Sequence, residues 1–182
     1  MTEEELVTAA REGDDNAFKE LVMRFEPIVA RTVIGMLGDC AEAEDVGQET
    51  FIRFYKALPR FRGESSVKTY LTRIAMNLSL NELKRRKRRL ARLTKKPVDE
   101  YHDLADSKQQ PGKDVDKERV WMAIGELEDK FKSVVVLRLI DGYSTEETAR
   151  ILNIPLGTVL SRLSRGQKRL RELLEPHIGV ES

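Results

Sequence analysis

The side chains that can do chemistry in this chain are bases and small hydroxyls rather than nucleophiles. Between positions 158 and 171, one side of a would-be helix carries Thr158, Ser161, Arg162, Ser164, Arg165, Lys168, Arg169 and Arg171, with no acid before Glu172. Arginine forks pair bidentately with guanine, hydroxyls reach base edges or phosphates, and lysines neutralise backbone charge. Upstream, Phe61-Arg62-Gly63-Glu64-Ser65-Ser66 precedes Tyr70, Arg73 and Asn77. Aromatic and guanidinium groups beside small residues suit a pocket for an unstacked base. Asn77 offers a donor and an acceptor to a base edge. A phenylalanine in such a loop serves equally well as a plug of the core.

Two charge blocks extend this picture. Nine bases stand in the thirteen positions 84–96, beginning with Lys84, Arg85, Arg86 and Lys87, and no acid interrupts them. Such a run on a continuing helix is an electrostatic footprint for phosphates, or else a solvated charged tail. Residues 39–50 are the opposite, with Asp39, Glu42, Glu44, Asp45 and Glu49 and no base. Those carboxylates have no histidine, glycine-rich loop or nucleophile beside them, so a protein-docking face fits better than catalysis. Positive and negative blocks nearly cancel, to a formal +1 over 182 residues. Their segregation points to several charged partners, or one large partner with differently charged faces.

The elements that must position these groups are helical. Aromatic content is 6% and Gly and Pro are sparse, which disfavours strand-and-turn architectures. Thr2 with Glu5 makes a capping box for a short helix ending near Gly13. Asp15 or Asn16 can cap a second helix, in which Phe18, Leu21, Val22, Phe25, Val29, Val33 and Leu37 recur at helical spacing around a kinking Pro27. A third helix is expected from about Glu42 to Leu58, with Val46, Phe51, Phe54, Tyr55 and Leu58 inward. A fourth runs from about Val67 to Leu93. Together these make a four-helix bundle over residues 1–94.

Residues 95–117 lose periodicity and carry Pro97, Pro111, Gly112 and many acids, reading as an acidic linker. It is either a plain tether or an acidic strand for a basic channel. The second domain, 118–182, opens with Val120, Ile124 and Leu127 at helical spacing. Val134-Val135-Val136-Leu137 is β-branched enough for a strand, but no second strand exists to pair with it, so a buried helix is expected. Ser144 with Glu147 forms another capping box, Ala149 and Leu152 point inward, and Asn153-Ile154-Pro155 turns into a final helix. Residues 144–171 thus read as a helix-turn-helix, a motif whose second helix lies in the DNA major groove, or else as an ordinary helical hairpin with a solvated basic face. The fold class is all-α: two small helical domains joined by an irregular linker.

The single Cys40 forms no internal disulfide, His102 and His177 lie near no cysteine, and no metal or cofactor is expected. The acidic N-terminus is not a signal peptide, and no apolar run suffices to span a bilayer. A cytoplasmic chain without membrane insertion is the expectation.

In this order, these features resemble the extracytoplasmic-function (group 4) sigma factors of bacterial RNA polymerase, over nearly the whole chain. Asn16-Ala17-Phe18 through Phe25 is similar to the start of the family's region 2. Ala43-Glu44-Asp45-Val46-Gly47-Gln48-Glu49-Thr50-Phe51 resembles its polymerase-binding helix, which implies docking on the β′ clamp coiled coil through Asp45, Gln48 and Glu49. Phe61-Arg62-Gly63 and Arg73-Ile74-Ala75-Met76-Asn77 are similar to the loop and helix that read the −10 element, with Tyr70 where tryptophan is common. There the resemblance implies capture of a flipped non-template base. Residues 118–174 resemble region 4, and Ile154 through Leu163 its −35 recognition helix, with Leu160 in place of the usual Lys or Arg and Ser164 in place of a larger residue. The implied partners are core RNA polymerase, including its β flap, promoter DNA and an anti-sigma factor. The polymerase supplies the chemistry, so the chain is expected to be no enzyme. A stand-alone helix-turn-helix regulator and an adaptor without specific DNA contacts are the rival readings.

Overall fold

Helix-forming periodicity and well-placed caps give eight α-helices among the residues that the computed structural model describes, 1–94 and 115–175. They are α1 (Glu3–Arg11), α2 (Asp15–Leu37), α3 (Ala41–Ala57), α4 (Val67–Leu93), α5 (Val115–Gly125), α6 (Asp129–Val135), α7 (Thr145–Leu152) and α8 (Leu156–Leu174). No strand occurs among the described residues. The linker lies almost wholly outside them, as do His102 and His177.

Both capping boxes form. Thr2 Oγ1 accepts from the Glu5 N–H at 3.2 Å while Glu5 Oε2 accepts from the Thr2 N–H at 2.8 Å. Ser144 and Glu147 do the same for α7. The cap of α2 is Asp14 rather than Asp15 or Asn16, because its carboxylate reaches the N–H groups of Asn16 and Ala17. Pro27 lies inside α2, which continues through it as one helix.

Helices α1 to α4 pack round an apolar centre. Phe54 is fully buried and belongs to the same apolar cluster as the buried Leu21, Leu58, Leu71 and Met76. Its ring meets Phe18 at 6.3 Å, Phe61 at 5.8 Å and Tyr70 at 5.9 Å. Tyr55, expected inward, is 47% exposed and leans its edge on Phe18, since Ala43, Thr50 and Phe54 take the buried stripe of α3.

The Val134–Leu137 run is helical and fully buried, as its lack of a partner strand required. From Val136 to Ile140 the helix widens to π geometry. Gly166 allows α8 to close on α6: a Cβ there would stand 2.8 Å from Val135 Cγ2. In α7, Thr148 and Ile151 are buried while Ala149 and Leu152 are half-buried, one register step from the expected pair. The reason is that α7 packs on α4 as well as on α8.

The two halves share one continuous core. Helix α2 packs against α5, α6 and the π stretch, and α4 against α6 and α7. Lys132, near this junction, is buried, and burial pushes its ammonium below the ordinary lysine range, against the pull of Asp129. The folded chain therefore holds fewer protons here than the unfolded one, and this contribution to stability is present above the unfolded lysine value and is lost as pH falls through the depressed value. Replacing Lys132 by methionine should raise the melting temperature at neutral pH. The advantage should shrink as pH approaches about 10.4, which melting curves across the alkaline range would show.

Candidate nucleic-acid interface

Between α3 and α4 the chain makes a 3-10 turn, Leu58–Arg60, and then a loop. Gly63, at φ +70, turns that loop in a conformation that side chains rarely adopt. Arg11 grips the loop from below, donating from Nε to the Leu58 carbonyl at 3.3 Å and from Nη2 to the Phe61 carbonyl at 2.6 Å. Ser66 caps α4 by accepting from the Thr69 N–H. These supports fix an open cleft of about 800 Å³.

Phe61, Arg62, Tyr70 and Arg73 line the cleft, as the sequence pattern requires of a shared pocket. Phe61 and Tyr70 meet edge to face at 5.0 Å. Phe61 is only 9% exposed, so it is core plug and pocket wall together. The Nε of Arg73 is buried without a hydrogen-bond partner. A buried donor left unpaired costs free energy until a ligand accepts from it. Asn77 is exposed and is not part of the lining; it continues the Tyr70–Arg73 row one turn further along α4. Arg53, Lys56 and Arg60 complete the wall, with Glu64 the one acid among the lining residues. Sequence reading passed over these three bases. The available signal was the spacing of Arg53 and Lys56, one turn apart at the end of α3, with Arg60 in the turn that follows.

On α3, where a docking face is expected, Asp45 and Gln48 are exposed and Glu49 is half-buried. Their spacing of three and four puts them on one side of the helix. Glu49 pairs with Arg53 at 2.8 Å. The carboxyl of Glu42 is held below the usual range first by its own backbone N–H, then by Cys40 and the charges of Arg86 and Arg89.

The basic run divides by helical phase. Lys84 is exposed and makes no ion pair among the described residues, and Arg85 pairs with Glu82 at 2.9 Å. Arg86 turns inward, donating to the Leu37 carbonyl at 3.0 Å, where it satisfies the end of α2, and to Cys40 Sγ at 3.1 Å. Lys87 pairs with Asp129 at 2.6 Å.

At the other end, Asn153 takes the left-handed conformation, φ 53 and ψ 51, to close α7 and turn into α8. Val159 and Gly166 are the buried residues of α8. Ser161, Ser164, Arg165 and Lys168 are exposed, and Thr158 and Arg162 half-buried. Ser161 Oγ also donates to the Thr158 carbonyl at 3.1 Å. Leu156 and Leu160, 43% and 50% exposed, stand one turn apart at the start of the helix. Exposed apolar groups there match the thymine methyl that marks the major-groove edge of an A·T pair.

Comparison with known proteins agrees with this layout. Residues 21–89 match Sigma-70 region 2, and residues 117–170 match Sigma-70, region 4. The RNA polymerase sigma-H factor of Pseudomonas aeruginosa is 31% identical over 96% of this chain and 94% of its own length. The ECF RNA polymerase sigma factor SigW of Bacillus subtilis is 33% identical, covering 92% of this chain and 94% of that one. Among solved structures, CnrH in complex with the cytosolic domain of CnrY superposes with a TM-score of 0.71 at 26% identity, over 96% of this chain and 98% of that one. The sigma factor RpoE from Bartonella quintana, in complex with the anti-sigma factor NepR, gives 0.71 at 25% identity over 88% and 98%. The chain therefore belongs to the extracytoplasmic-function sigma factors, which direct promoter-specific transcription initiation by RNA polymerase.

Proposed function

We propose that this chain divides promoter reading between its two ends. A unit spanning residues 1–94 binds core polymerase and holds the melted −10 strand, and a unit spanning 118–182 fixes the duplex −35 element. The observation that carries the reading is the cleft at Phe61, Tyr70 and Arg73, whose aromatic walls, surrounding cations and unpartnered Arg73 Nε suit an extruded base between two phosphates. Trapping that base offsets part of the few kcal/mol that unstacking costs. Arg62 and Gly63 shape the loop edge, and Asn77 reads along the strand. Lys84 and Arg85 follow the phosphates. Asp45, Gln48 and Glu49 meet the β′ clamp, and the second unit meets the β flap. The chain catalyses nothing itself and acts in the cytoplasm. Among the described residues no helix is long and apolar enough to cross a membrane. An anti-sigma factor is its expected regulator, by likeness to RpoE from Bartonella quintana, which was solved in complex with the anti-sigma factor NepR.

In the −35 unit, Arg165 reads a base while Lys168 neutralises a phosphate. Replacing Arg165 by alanine should cost about 1–3 kcal/mol and relax specificity at one position. Replacing Lys168 should weaken all sequences alike and lower the salt slope by about 1. Binding titrations at several salt concentrations separate the two. The whole reading is tested by adding the purified chain to core polymerase with a promoter library. Initiation at a shared two-part motif supports it; specific duplex binding without polymerase and no core binding would replace it with a stand-alone regulator.

A further inference from the structure

The first turns of α8 carry two features that the fold itself does not use. Val159 is fully buried and sets the rotation of the helix, which leaves Leu156 and Leu160, one turn apart, at 43% and 50% exposure. Their row continues through the exposed Ser164 and Lys168, and Ser161 and Arg165 run beside it. Gly157 lies in the same first turn, with no left-handed backbone to require a glycine, and a Cβ added there would meet nothing within 4 Å. Gly166 is the contrast, because Val135 leaves no room for a side chain at that position. A glycine within a helix weakens it relative to alanine. Packing among the described residues accounts neither for the exposed surface of the two leucines nor for the missing side chain between them.

Contact with DNA accounts for both. No acid stands between Ile154 and Arg171, so this face suits a polyanion. In a helix-turn-helix, the N-terminal residues of the second helix are the ones that reach base edges. Leucine has neither donor nor acceptor, and it gains nothing from the N7 and O6 of guanine, the N7 and N6 of adenine or the N4 of cytosine. The C5 methyl of thymine is the apolar group that a base pair presents in the major groove. Over a G·C pair the same leucine would strip water from polar edges and leave them unpaired, which costs free energy. The bare backbone at Gly157 lets the start of the helix come close to the duplex.

We infer that Leu160, supported by Leu156, is a specificity-determining residue that packs on the C5 methyl of a thymine in the −35 element and so selects an A·T pair beside the bases that Arg165 reads. This rests on the two-element reading above. Leu160 both rewards the thymine and penalises a G·C pair in its place, without any hydrogen bond. Because the contact is uncharged, its share of the affinity does not change with salt, unlike the phosphate contact of Lys168.

The test uses the full chain bound to core polymerase, with the −35 element first located by initiation from a promoter library. Each thymine of that element, on either strand, is then replaced in turn by deoxyuridine, which removes the methyl and keeps the pairing edge. Competition binding compares the substituted promoters. At one thymine the wild-type complex should lose about fourfold in affinity, the worth of one buried methyl, and equally at low and high salt. The Leu160→Ala complex should bind the thymine and deoxyuridine promoters alike. Leu160 is exposed, so its truncation leaves no cavity, and the change in the DNA leaves the protein untouched. An element without thymine, no loss at any thymine, or the same loss in Leu160→Ala would overturn the inference. Weaker core binding by Leu160→Ala without a methyl effect would overturn it too, and would assign the leucines to a protein partner. Failure of the wild-type chain to initiate from any promoter would instead overturn the two-element reading.

Discussion

An alanine at position 77 is expected to slow promoter opening roughly tenfold to a hundredfold while leaving affinity for core polymerase intact. Asn77 continues the row of Tyr70 and Arg73 on α4, beyond the cleft wall, and its amide carries both a donor and an acceptor. Losing a paired group from a base contact costs about 1–3 kcal/mol, or roughly fivefold to 150-fold, which brackets that range of rates. The residue is exposed, so truncation leaves no cavity and the fold should be unaffected. Asp45, Gln48 and Glu49, which we propose meet core polymerase, lie on a different helix, so core binding should be unchanged. Fluorescence-detected open-complex formation beside a core-binding titration measures both. Equal loss of the two would remove Asn77 from the −10 interface.

Truncating Phe54 to alanine should have the largest effect on stability, about 3–5 kcal/mol as for other buried aromatics. The ring is fully buried and meets Phe18, Phe61 and Tyr70. Two of those three neighbours wall the cleft. The same substitution should therefore weaken −10 strand binding at temperatures where the chain remains folded. Urea denaturation gives the first quantity, and binding of single-stranded −10 DNA by the polymerase complex gives the second. A stability loss below about 1 kcal/mol would mean that the cluster refills the space, contrary to the cost usual for such cavities.

Local signals made much of this architecture readable in advance. Thr2 with Glu5 and Ser144 with Glu147 are short-range devices, and both form as their spacing demands. The fourth helix, expected from about Val67 to Leu93, takes those limits. The long-range polar contacts of Thr32 with Asp141 and of Thr72 with Tyr143 were not readable. Thr32 and Thr72 look like neutral helix positions, and Asp141 and Tyr143 look like loop residues, until folding brings together positions 109 and 71 residues apart. The basic run shows a different limit. As a string of charges, Lys84 to Lys87 suggests a uniform phosphate track. Helical phase sets Arg86 behind the buried Glu82 and Leu83, so its guanidinium serves the protein. Extending the inward stripe by one turn would have separated it from Lys84. At the cleft, charge counting along the sequence favoured the longer basic run and overlooked Arg53, Lys56 and Arg60, which the turn at Leu58–Arg60 folds into one wall.

The position of Gly35 and Thr32 on α2 also has a consequence in time. Helices α1 to α4 are complete by residue 93, and their packing is largely among neighbours in the chain. The groups that cover α2, from Trp121 through Val136 to Asp141, belong to chain made later. At roughly 5–20 residues per second, the ribosome needs on the order of several seconds to deliver them. During that interval the nascent first unit presents the bare groove at Gly35, the Thr32 hydroxyl paired only with its own Ile28 carbonyl, and the unpaired hydroxyl of Thr72 to whatever is nearby. A polymerase or regulator that meets the growing chain then encounters a surface that the finished protein hides.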